Sequence, residues 1–264
     1  FENVSLAYRP GLPLVLKNVS IDVKGGEKIG ICGRTGAGKS TIMSALYRLV
    51  ELSTGRVVID GVDISKIGLY DLRSKLSIIP QEPVLFKGTI RKNLDPFGQC
   101  SDDKLWETLV SSGAFTSQEL SHIKLQSSCG TDTSELHKFH LDQVVEDDGD
   151  NFSLGERQLL TLTRALVRGS KILILDEATS SVDYETDAKI QAKIAEGFAG
   201  STILCIAHRL KTIINYDKIL VLDKGEVMEY DTPWNLFVQE ESIFREMCLR
   251  SGIVDADFSN NSCG

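Results

Sequence analysis

Apolar residues recur along this chain in two rhythms. Short runs rich in apolar residues at 28–32, 171–175, 202–207 and 218–222 read as strands, the first two of them buried. Between them, apolar positions three and four apart mark helices. Ile42, Ala45, Leu46 and Leu49 line one face of 39–50, and the same spacing returns in 153–167 and 184–198. Short strands fill 1–23, broken by a turn at Arg9, Pro10 and Gly11, and a second tight turn covers 24–27. A strand at 57–59 turns at Asp60 and Gly61. Another at 75–79 runs into Pro80-Gln81-Glu82-Pro83, which two prolines keep from being helical. Helices are predicted at 102–111, 115–123 and 210–215. A hairpin joins 218–222 to 227–230 across Asp223, Lys224 and Gly225. Thr232 caps a helix opening at Pro233, and a last helix covers 242–250.

Strands alternating with helices predict an α/β fold with a mainly parallel central sheet, and the early strands predict an added antiparallel layer. The expected division is a core of 1–80 and 153–250 with a helical subdomain at 81–152. Within that subdomain, 124–150 is rich in Ser, Thr, Asp and Gly and carries the acidic cluster Glu146-Asp147-Asp148, so it is expected to be a mobile insertion. Ser127, Ser128, Thr131, Thr133 and Ser134 would be modification sites if it were regulatory, and a tolerated loop is the plainer reading. His137 and His140 read as solvated side chains in this polar stretch rather than as a metal site. Residues 255–264 are expected to fray.

Composition narrows the setting. The 264 residues are 42% hydrophobic and 25% charged, with a formal net charge of −8. That balance suits a globular domain and argues against nonspecific binding to nucleic acid or an anionic bilayer. No apolar run approaches the ~20 residues of a membrane helix, and no signal-peptide pattern is present. Six cysteines are scattered with no Cys-x-x-Cys pair, which reads as free thiols in a reducing compartment. The chain starts with Phe1 already in a strand pattern and reads as part of something longer.

The chemistry gathers at Gly33-Arg34-Thr35-Gly36-Ala37-Gly38-Lys39-Ser40, which matches GxxxxGK[ST] between a strand and a helix. Glycines let backbone N–H groups wrap phosphates, and the helix N-terminus adds a positive dipole end. Lys39 supplies a cation and Ser40 a hydroxyl for Mg2+, with Thr41 beside it. Asp176 ends an apolar strand, where a carboxylate can hold Mg2+. Glu177 follows and is placed to act as general base on a water.

In order along the chain, these and further motifs resemble an ABC-type ATPase domain. Gly33 to Ser40 is similar to its Walker A loop and 172–176 to its Walker B strand. Gln81 resembles the Q-loop glutamine. Phe152-Ser153-Leu154-Gly155-Glu156 is similar to the LSGGQ signature, Ser180-Ser181-Val182-Asp183 to the D-loop, and His208 to the switch histidine. The resemblance covers nearly the whole chain. It implies ATP and Mg2+ as cofactors. Lys39, Gln81, Glu177 and His208 would be catalytic, with Ser40, Gln81 and Asp176 around the metal and Tyr8 stacked on adenine. In this family two such domains face head to tail. Ser153, Gly155, Glu156 and Asp183 would therefore act in trans, on a nucleotide held by the partner.

The signature departs from the family pattern. Leu154 replaces a glycine and Glu156 replaces a neutral amide, a poor neighbour for a triphosphate, although it could accept from a ribose hydroxyl. An intact Walker half beside an altered signature resembles subfamily C, and most closely the second domain of fungal oligomycin-resistance type exporters. That implies a first nucleotide-binding domain in the same polypeptide and membrane domains contacted through the Gln81 loop and the helical subdomain. It also implies a cytoplasmic position on the plasma membrane or vacuole, and export of organic compounds. Two other classes share these motifs: a nucleotide sensor governing a channel, and an ABC-type ATPase acting on nucleic acid or ribosomes. The acidic charge and the signature count against the latter.

Overall fold

The computed structural model describes residues 1–126, 136–176, 184–207 and 209–258. The chain forms two compact units. One comprises residues 1–78, 171–177 and 200–264, and the other 79–170 and 178–199.

The first unit opens with β1 (Glu2–Leu6), β2 (Leu16–Val19), β3 (Lys28–Gly33) and α1 (Lys39–Leu46). It continues through β4 (Thr54–Arg56), β5 (Val58–Ile59), β6 (Val62–Asp63), α2 (Leu69–Ser74) and β7 (Leu76–Ile79). The chain then builds β8 (Gly88–Thr89), α3 (Ile90–Leu94), α4 (Asp102–Ser112), α5 (Ser117–Gln126), β9 (Val144–Val145) and α6 (Leu154–Arg168) of the second unit. It returns to the first for β10 (Ile172–Asp176), adds α7 (Tyr184–Gly197) to the second, and closes in the first. That last stretch holds β11 (Thr202–Ile206), α8 (Leu210–Ile213), β12 (Lys218–Asp223), β13 (Glu226–Asp231), α9 (Pro233–Val238) and α10 (Ile243–Arg250).

The central sheet has the order β13-β12-β3-β11-β10-β7. β12, β3, β11 and β10 pair in parallel and β13 closes one edge antiparallel. Burial explains the aliphatic runs: Ile29, Ile31, Leu173, Ile174, Leu175 and Leu220 are almost fully excluded from water. A separate antiparallel sheet, β2-β1-β4, shares a core with the central sheet through Val4, Leu6, Leu16 and Val19. The expected α/β architecture with an antiparallel layer is therefore present.

α1 stops at Leu46, short of the expected Val50, because Arg48 adopts a left-handed φ of 47° and breaks the helix. The tail also differs. Residues 255–258 form a 3-10 turn that seats Phe258 against Phe237, with ring centroids 4.5 Å apart. The rest of the tail, 259–264, lies outside the described residues.

The second unit has its own core, built from Leu85, Ile90, Leu105, Leu109, Phe152 and Leu160 among others. The sequence expectation placed 153–167 with the central sheet. The structure places α6 in the second unit, because its apolar stripe carries Leu160 and Val167 into that core. Arg164 reinforces the placement by donating to the Asn93 and Val84 carbonyls.

Residues 136–150 depart most from expectation. In place of a mobile insertion they form an anchored segment. Phe139, Leu141 and Val145 are buried, β9 pairs with β8, and the Arg91 N–H donates to the Leu141 carbonyl at 2.8 Å. The five proposed modification sites lie outside the described residues. His140 is not solvated: it has no exposed surface and meets Trp106 edge-on.

Burial depresses the basicity of His140, the neighbouring Asp142 opposes that effect, and Arg91 and His137 add to it, leaving the imidazole below its usual 6.5. Its Nδ1 accepts from the Asp142 N–H at 3.1 Å, a bond the neutral ring makes. The unfolded chain therefore takes up a proton that the folded one refuses. Stability from this site is complete above pH ~6.5 and declines as pH falls below it. Denaturant melts at pH 7.5 and 5.5 should show the decline in the native protein and a smaller one in His140→Gln. Equal slopes would contradict the assignment.

Candidate nucleotide site

The glycine loop lies at the carboxyl edge of the parallel strands, where ligands bind in open α/β sheets. It leaves β3 at Gly33, whose φ is 147° and whose added Cβ would stand 2.2 Å from the Leu222 carbonyl oxygen. Gly36 and Gly38 also take positive φ, at 79° and 101°. The Ala37 N–H donates to the Arg34 carbonyl, which closes the loop. Arg34, Thr35, Gly36 and Ser40 face solvent, while Ala37 and Gly38 are buried beneath.

α1 starts on Gly38, which offers no side-chain cap, and its first turn has no acidic residue. Its leading amides are left for an external anion. Lys39 Nζ donates to the Gly33 carbonyl at 3.0 Å and to that of Arg34 at 3.2 Å, so the ammonium curls over the same loop. A cradle with a cation, open amides and no acid fits a polyphosphate.

One brace escaped the sequence reading. Gly225, at the β12–β13 turn, donates its N–H to the Ala37 carbonyl and accepts from the Lys17 N–H. Its added Cβ would lie 2.1 Å from the Val15 oxygen. The hairpin turn was visible in the sequence as Asp-Lys-Gly, but its docking on the loop was not. Cys32, just before the loop, is pushed up to about 12 by burial and is an unreactive thiol at neutral pH. The described cysteines, Cys32, Cys100, Cys205 and Cys248, are unpaired with one another.

Among the described residues of the first unit, Tyr8 and Asp176 stand at the same edge. Tyr8 is half exposed, and its hydroxyl shares a 3.0 Å hydrogen bond with Thr41 Oγ1 on the first turn of α1. Asp176 ends β10 in register with Ile206, which is in register with Ile31 of β3. Among the described residues no three acidic, histidine or cysteine side chains cluster as a metal site. Ser40 and Asp176 carry oxygens of the kind that could hold Mg2+. Glu177 and His208 follow β10 and β11 in sequence. Both lie outside the described residues, as does Asp183.

Gln81 belongs to the second unit, on an exposed bend directly after β7. The signature forms the start of α6. Ser153 is its N-cap and Glu156 completes a capping box, with the Ser153 N–H donating to Glu156 Oε2 at 2.7 Å. Phe152 is buried in the core beneath, whereas Ser153 is exposed and Gly155 half buried. Lys138 Nζ pairs with Glu156 Oε2 at 2.8 Å, a contact that sequence spacing gave no means of finding.

A family model described as ABC transporter matches residues 16–180. The chain belongs to the ABC transporter family. It is 70% identical over 263 residues to the oligomycin resistance ATP-dependent permease YOR1 of Saccharomyces cerevisiae, covering 99% of this chain and 18% of that protein. It is 58% identical to the ABC-type transporter cicA of Emericella nidulans, covering 97% of the chain and 18% of the relative. It is 50% identical to ATP-binding cassette sub-family C member 3 of Rattus norvegicus, covering 96% and 16%. The chain thus spans less than a fifth of the length of these relatives, and it is an ATP-binding domain of subfamily C type. No helix among the described residues is long and apolar enough to cross a membrane.

Proposed function

We propose that this chain is the second ATPase domain of a longer exporter, and that its nucleotide chemistry drives efflux of organic compounds. The observation that carries this reading is the glycine loop: an uncapped, acid-free helix start with Lys39 bent over it. Loop amides and Lys39 bind the β- and γ-phosphates, and Tyr8 takes the adenine. Ser40 and Asp176 hold Mg2+, whose charge offsets that of the phosphates when bound. Gln81 and His208 orient the attacking water and terminal phosphate, and Glu177 accepts the water's proton.

The loop is half a site. A first ATPase domain of the same polypeptide supplies a signature to it, and Ser153, Gly155, Glu156 and Asp183 are lent to the nucleotide of that domain. The second unit, with Gln81, meets the membrane domains. The name of one relative, an oligomycin resistance ATP-dependent permease, supports export; the reading sets this domain on the cytoplasmic face of the plasma membrane or vacuole.

Glu177→Gln in the full-length protein is expected to lower ATP turnover at least ~100-fold while ATP still binds, leaving the two domains closed. Steady-state hydrolysis within a few-fold of the unmodified protein would refute the general-base role. Efflux from inverted vesicles separates an exporter from a channel regulator.

A further inference from the structure

We propose that Lys138 is a positioning residue of the signature: it cancels the charge of Glu156 and draws the carboxylate back onto the α6 cap, which makes an acidic signature compatible with a polyphosphate. This rests on the reading that 153–156 faces a nucleotide held by another domain.

A carboxylate in the first turn of a helix suits the helix dipole but repels any phosphate approaching the same amides. The structure holds that carboxylate from two sides. The Lys138 ammonium lies 2.8 Å from Oε2, and the Ser153 N–H donates to the same oxygen at 2.7 Å. Burial works against the charge of Glu156, but its bonds to Lys138 and Ser153 outweigh it and keep the carboxyl below its ordinary value, so the group stays ionised at neutral pH. It therefore needs a counter-charge.

Among the described residues Lys138 is the cation that pairs with it. Lys138 is itself fixed, with its ammonium 5.6 Å from the centroid of Phe152, the residue that opens the signature. Its neighbour Phe139 is buried in the same core. The anchored segment 136–150 thus delivers a positive charge to the one signature position where the family's neutral amide has become an acid.

The test uses the full-length protein in a Lys39→Ala background, so that the remaining nucleotide occupies the site facing this signature. Lys138→Met is expected to raise the Kd of a labelled ATP about fivefold, or ~1 kcal/mol. Lys138→Arg, which keeps the charge, should stay near the parent. The decisive readout is the double variant Lys138→Met with Glu156→Gln. If Lys138 acts by charge, removing the acid restores affinity; if it acts by packing on Phe152, it does not. An unchanged Kd in Lys138→Met, or no recovery in the double variant, overturns the proposal. Gly155→Asp separates this failure from that of the underlying reading. Should it leave binding untouched, the signature does not face a nucleotide. Should it abolish binding while Lys138→Met is silent, the Lys138 role alone is wrong.

Discussion

Lys39→Ala should reduce ATP hydrolysis by ~100- to 1000-fold and weaken ATP binding, while leaving the domain folded. The ammonium makes its two described bonds to the Gly33 and Arg34 carbonyls, in a partly solvated setting where they add little to stability. Toward a triphosphate the same group offers charge-assisted bonds, worth ~2–4 kcal/mol in comparable anion holes. The melting temperature should therefore shift by no more than ~2 °C, with the loss confined to nucleotide titrations and ATPase assays. A large drop in melting temperature would show instead that Lys39 is structural.

Gly33→Ala should do the reverse and damage the fold together with the site. Its Cβ would stand 2.2 Å from the Leu222 carbonyl oxygen, and the obstacle is backbone held in register on β12. β3 or the loop must move, at a cost of about 1–3 kcal/mol. The displaced amides should lose ATP affinity by at least ~10-fold. Gly36→Ala is the control: its φ is also positive, but nothing lies within 4 Å of the added Cβ. It should bind better than Gly33→Ala and melt higher. Equal behaviour of the two would mean that backbone conformation, and not the contact with β12, governs the position.

These contrasts show what was legible in the residues. The loop was, because cradling phosphate demands glycines and a lysine at fixed spacing next to a strand and a helix. The buried strands were, because a parallel strand covered on both faces leaves an aliphatic run. β4 was not: Thr54, Gly55 and Arg56 are all exposed, and the strand exists because β1 supplies its partner. The stripe on α6 declared a helix without declaring which core would receive it. Residues 136–150 looked mobile because polar residues outnumber Phe139, Leu141 and Val145, yet those three suffice to pin the segment once β8 is there to pair. Lys138 and Glu156 stand eighteen positions apart, and only the folded chain puts one beside the other.

The central claim is that this chain carries half of a hydrolytic site. ATPase rate per chain, followed as the isolated domain is diluted in Mg-ATP, tests it most directly. Turnover per chain should fall toward zero with dilution and recover when a domain with a complete signature is added. A rate per chain that stays high and constant at the greatest dilution would mean that Gly33 to Ser40 and its neighbours are a complete site on their own.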